Sequence, residues 1–146
     1  MTVSDEDEAR ILQKAEYVQE AVSVLARKQS LDENTYRHSR EQRAIVEREF
    51  QTAIEACLDI AGILITSVDA PIAETNAGRL RQLEVLGVLS QKTSTQMQNA
   101  AGFRNILTHN YGNDIDDAVV YHHLQNELEW FIHYLREVRA YLEHDQ

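Results

Sequence analysis

The sequence predicts an all-α protein, an up-and-down bundle of four main helices and one short helix, and three observations carry that prediction. One proline and five glycines in 146 residues leave few turns from which to build a sheet. Long stretches rich in Ala, Leu, Glu, Gln and Arg favour helix. Apolar residues recur at steps of three and four, the helical period. At this length we expect a single domain over residues 1–146 with a core of its own.

The first helix starts at Ser4, where Ser4 and Asp7 have the spacing of a capping box. Asp5 and Glu6 suit the positive end of its dipole, so the acidic cluster reads as a cap rather than a binding site. Ile11, Ala15, Val18, Val22 and Leu25 form one stripe along a helix running to about residue 29. Leu31 to Asn34 supply a turn and a cap. Val46, Phe50, Ala53, Cys57, Ile60 and Leu64 then place a second helix over about 34–66, roughly 50 Å long. Its first half carries Arg37, His38, Arg40, Arg43 and Arg48, interleaved with Glu41, Glu47 and Glu49. That pattern is either a basic patch or a solvated face laced with i,i+4 pairs. Its last turns, "CLDIAGILI", are apolar nearly all round and predict burial among several helices, with Cys57 as a small core residue.

"SVDAPIAETNAG" reads as a loop, marked by Pro71 and Gly78, and leads into the short helix with Leu80, Leu83 and Leu86. Ser90 caps the fourth helix, over about 91–109. The closing helix, from about Asp116 to Glu143, carries Tyr121, Leu124, Leu128, Phe131, Leu135, Val138 and Leu142 in a heptad-like seam. Such a seam is the core of a bundle or a dimer interface.

A single cysteine excludes an intrachain disulfide, and no apolar run suggests a membrane span or a signal segment, so the expected compartment is the cytoplasm. The net charge of −10 argues against a phosphate-rich partner. The distribution qualifies that objection, because no acidic residue lies between Glu84 and Asp114 while Lys92, Arg104 and His109 do. Carboxylate-bridged diiron bundles need Glu-x-x-His on two helices, and none is present. Glu129 with His133 and His123 with Glu127 are ordinary helix neighbours, and the adjacent His122 and His123 diverge. No metal and no cofactor are expected.

The acid-free window contains "AGFRNILTHNYGND", residues 101–114, which crowds Arg104, Asn105, His109 and Tyr111 into eight positions. On an ideal helix Arg104, Thr108 and Tyr111 share one face and Asn105 and His109 another, leaving Phe103, Ile106 and Leu107 for the core. Arginine and histidine converge only if the helix breaks after Thr108, for which Asn110 and Gly112 are suited, or if a second subunit brings the opposite copy. By spacing alone the group is a helix end as readily as a site.

Arg104-Asn105-Ile106-Leu107-Thr108-His109-Asn110-Tyr111 resembles the R-N-x-x-x-H-x-Y motif of HepT toxins, in the HEPN superfamily of all-helical RNases. The order of elements along most of the chain is similar too. The resemblance implies a HEPN-like bundle and metal-independent cleavage of RNA by a homodimer with a composite cleft. His109 would serve as base or acid, Arg104 would hold phosphate oxygens, and Asn105 would orient one or the other. It also implies that Tyr111 accepts AMP from a cognate MntA-like minimal nucleotidyltransferase antitoxin, which neutralises the toxin. A second reading is a non-catalytic helical substrate-binding or regulatory subunit of a nucleotidyltransferase, and a third is a purely structural dimerisation bundle. The joint presence of Arg104 and His109 favours the nuclease.

Overall fold

The computed structural model describes residues 3–109 and 115–144, and of His109 the backbone. Among the described residues there are seven helices and no strand: α1 (Asp5–Lys28), α2 (Glu33–Arg37), α3 (Arg40–Ser67), α4 (Asn76–Val85), α5 (Gln91–His109), α6 (Asp117–Asn126) and α7 (Glu129–His144). The all-α expectation holds, while two of the long helices expected from periodicity are each divided.

Serine, threonine and aspartate side chains set the helix starts, as their short polar reach dictates. Ser4 caps α1 by accepting the Asp7 amide, Asp32 caps α2 through Thr35, and Thr75 caps α4 through Gly78. Ser90 Oγ accepts the Thr93 amide at the start of α5. The end of α4 is a Schellman turn, with Val88 N–H donating to the Leu83 carbonyl, Gly87 N–H to that of Glu84, and Gly87 at φ +81°.

The expected helix over 34–66 breaks at His38–Ser39 because Ser39 caps a new start, its hydroxyl accepting the Gln42 amide. The interruption lets Tyr36 turn fully into the core. The closing helix breaks at Glu127–Leu128, where the Leu124 carbonyl, the acceptor that a continuous helix would offer the Leu128 amide, receives Gln29 Nε2 at 2.9 Å. Gln125 returns the contact to the Gln29 carbonyl. The apolar seam still runs across the break, and Leu124, Leu128, Phe131, Leu135, Val138 and Leu142 are all buried within this chain.

Helix α3 is the axis of the bundle, packed against α1, α4 and α5 and contacted by α2 and α6. The groove that joins Asp7, Arg10 and Lys14 of α1 to Asp59, Gly62 and Thr66 of α3 shows the two running antiparallel. Tyr134 of α7 donates its hydroxyl to the Cys57 carbonyl at 2.6 Å, which locks the closing helix onto α3. Contrary to the expectation from sequence, α3 is long and apolar enough to cross a membrane by length and composition. Most of its apolar window is buried inside the bundle, so it is a core helix. The Arg-rich segment is shared between two helices: Arg37 of α2 pairs with Glu33 four residues earlier, and Arg43 of α3 reaches Asp117 of α6 at 3.9 Å.

Candidate ribonuclease site

The part of the motif from Arg104 to His109 occupies the last turns of α5, and two aromatic contacts fix how that helix is rotated. Phe103 and Leu107, four apart, are buried. The Phe103 ring meets Phe50 edge-on at 5.2 Å and lies flat against His123 at 4.0 Å with only 9° between the planes. Burial holds the His123 imidazole below its ordinary pKa of 6.5, and the neighbouring His122 adds to the effect.

With Phe103 inward, Arg104 lies about 100° round the helix, at the margin facing α3. Its Nη2 is 2.8 Å from Glu55 Oε1. Arg104 retains 26% side-chain exposure and Glu55 50%, so the pair stands at the protein surface and within reach of solvent. The Nε atom of Arg104 is buried and has no hydrogen-bond partner among the described residues. Asn105 is exposed beside it. Ile106, expected in the core, is 40% exposed. The reason is angular: the buried stripe centres between Phe103 and Leu107, and Ile106 lies about 80° from that centre.

At the helix end, Thr108 bonds back to the carbonyls of Arg104 and Asn105, and Gln51 Nε2 reaches the Leu107 carbonyl at 3.3 Å. The Gln51 contact supplies a donor to Leu107, a last-turn carbonyl without an intrahelical partner, while Thr108 makes the i−4 and i−3 back-bonds common for a hydroxyl within a helix. The helix continues through His109 rather than breaking after Thr108. Five residues apart on a continuous helix, Arg104 and His109 diverge by about 140°. The two backbone positions thus face different sides of α5, and the His109 side chain lies outside the described residues. Tyr111, with Asn110 and Gly112, lies outside the described residues.

The acid-free window is acid-free in sequence only. Glu55 from α3 occupies Arg104. Glu137 from α7 accepts the Ser90 amide at 2.6 Å and the Thr93 hydroxyl, placing a carboxylate at the positive end of α5. Neither residue was identifiable from the motif. Both lie more than 40 positions away in sequence, and only the packing of α5 on α3 and α7 reveals them. Among the described residues no group of three or more His, Cys, Asp or Glu is placed so that it could hold a metal ion.

A family model of ribonuclease HepT-like proteins matches residues 11–138. The chain belongs to the HepT-like ribonuclease family. It is 30% identical over 113 residues to the tRNA nuclease HepT of Aphanizomenon flos-aquae (strain 2012/KM1/D3), covering 77% of this chain and 75% of that protein. The fold is similar to that of a toxin–antitoxin crystal structure with AMP-PNP, with a TM-score of 0.82 at 20% identity over 90% of this chain and 98% of the other. It is also similar to a tri-AMPylated Shewanella oneidensis HEPN toxin in complex with MNT antitoxin, with a TM-score of 0.80 at 21% identity, covering 90% and 97%. Within this HepT-like chain the matched region contains the whole motif, Arg104 through Tyr111.

Proposed function

We propose that this HepT-like chain is the toxin of a toxin–antitoxin pair and cleaves RNA without a metal, using Arg104, Asn105 and His109. The observation that carries the reading is the placement of Arg104 and Asn105 side by side at the protein surface, at the end of a helix with R-N-x-x-x-H spacing. A permanently charged, fork-shaped guanidinium suits two oxygens of a phosphate that gains negative charge in the transition state. In the reaction the ribose 2′-oxygen bonds to phosphorus while the bond to the 5′-oxygen breaks. One histidine takes the 2′-hydroxyl proton and a second protonates the departing 5′-oxygen, leaving a 2′,3′-cyclic phosphate. Asn105 orients the imidazole or the phosphate.

The divergence of Arg104 and His109 along α5 supports a composite site in which two copies face each other, each supplying one histidine. A homodimer is accordingly part of the proposal. So is neutralisation by an MntA-like nucleotidyltransferase that transfers AMP from ATP to the hydroxyl of Tyr111, seven residues past Arg104 in the motif, with release of pyrophosphate. A nucleotide there competes with RNA phosphate for the arginine. The chain acts as one helical domain in the cytoplasm, where both RNA and such an enzyme are at hand. The test is cleavage of tRNA and mRNA by the purified chain in the presence of a chelator, beside the His109→Ala variant. Cleavage by the parent alone supports the reading, and equal cleavage by both overturns it.

A further inference from the structure

Between α3, α5, α6 and the start of α7 lies a cavity of about 230 Å³. One wall is the stacked pair of Phe103 and His123, another is Trp130, and the rim carries the side chains of Gln96 and Asn99. Neither amide makes a side-chain hydrogen bond among the described residues, although each can donate and accept. The volume is below the roughly 300 Å³ at which pockets for drug-sized ligands begin, and it suits one planar ring system.

The position of the cavity along α5 is informative. Lys92, Gln96, Ala100 and Arg104 follow one another at steps of four and form a single ridge. Gln96 and Ala100 line the cavity, and the two cations bracket it, about 18 Å apart by helical rise. Lys92 Nζ lies 5.5 Å from the centre of the Trp130 ring, so it also marks the cavity's edge. An aromatic slot between two cations on one ridge has the layout of a single-strand platform, in which bases stack while the backbone tracks positive charge.

We propose that this cavity seats one unpaired base of the RNA substrate, held between aromatic faces and read by the Gln96 and Asn99 amides, next to the phosphate held by Arg104. The proposal rests on the ribonuclease reading, but the test separates them. The lining is mainly aromatic and apolar, with Glu127 as its one carboxylate, an acceptor for the amino or imino hydrogens of a base.

Trp130 is the chain's single tryptophan and reports directly on the cavity. The full chain and its His109→Ala variant are titrated with each nucleoside 5′-monophosphate into the millimolar range, with ribose 5-phosphate as the base-free control. Saturable quenching by a mononucleotide in both proteins is expected, with ribose 5-phosphate at least about fivefold weaker and Asn99→Ala weakening the response about fivefold. Absence of saturable quenching, equal quenching by ribose 5-phosphate, or an unchanged Asn99→Ala overturns the proposal. Quenching in a chain that cleaves no RNA retires the ribonuclease reading and leaves the base site standing; cleavage without quenching does the reverse.

Discussion

Arg104 Nη2 and Glu55 Oε1 lie 2.8 Å apart, so the motif's guanidinium is already engaged by a carboxylate from 49 residues earlier in the chain. A substrate phosphate has to share or displace that partner. Both side chains reach solvent, which limits the pair's contribution to stability to less than about 1 kcal/mol. Glu55→Gln should therefore leave the melting temperature nearly unchanged and lower the KM for RNA roughly threefold, with kcat unaffected, because Coulombic competition for Arg104 is removed. Steady-state cleavage assays decide this, and a raised KM would mean that Glu55 orients the arginine instead of competing for it.

Arg104→Ala and His109→Ala should each reduce cleavage by at least about a hundredfold and abolish growth inhibition when the chain is expressed alone. Folding should survive the arginine change, since the anchors of this helix end are Phe103 and Leu107. Thermal melts beside single-turnover assays separate the two effects. Toxicity retained by both variants at normal expression would remove them from the catalytic role.

Dimerisation should use the motif face. The heptad-like seam on α6 and α7 is consumed inside the chain, whereas Ile106 stands exposed beside Asn105. Ile106→Glu is expected to shift the protein from dimer to monomer in light scattering at micromolar concentration and to cut its RNase activity in parallel. A monomeric parent with full activity contradicts the two-histidine scheme.

Co-expression with the cognate nucleotidyltransferase should raise the mass of the chain by whole AMP units. Tyr111→Phe should prevent the addition while leaving cleavage intact. Intact-mass spectrometry reads the outcome, and neutralisation without any mass change would point to inhibition by binding alone.

Acid should weaken the fold through His123. Its pKa is lowered in the folded state, first by burial and then by His122, so the unfolded chain takes up a proton at a higher pH than the native one. The stabilisation is present above the ordinary imidazole value of 6.5 and is lost progressively as pH falls below it. His123→Phe keeps a flat ring against Phe103 and should flatten the dependence of melting temperature on pH in that range. An identical pH profile for the parent and this variant would rule His123 out.

The helices were legible from sequence because their cores repeat at the helical period, and Ser4 and Ser90 announced two starts correctly. The breaks were not legible. Periodicity survives the division at Leu128, since the seam crosses it in register, and the cause is a side chain on another helix, Gln29. Ser39 did offer a local signal, a capping residue inside an apolar pattern, but it lay among arginines and glutamates that suit helix equally well. The motif itself was visible in the order of residues. The carboxylate at Arg104 and the aromatic cavity beside Phe103 were not, because both come from chain segments that meet α5 only after folding.

The burial of α3 also has a timetable. During synthesis this helix, with an apolar window of mean hydropathy 1.3, leaves the ribosome before α4, α5, α6 and α7 exist to cover it. Only α1 and α2 are made earlier. At about 5–20 residues per second, completing the later helices takes several seconds, during which the nascent chain displays a surface that membrane-targeting factors and chaperones are built to recognise. A protein with a net charge of −10 thus passes through a greasy adolescence in which α1, made first and packed most extensively on α3, is the cover already at hand.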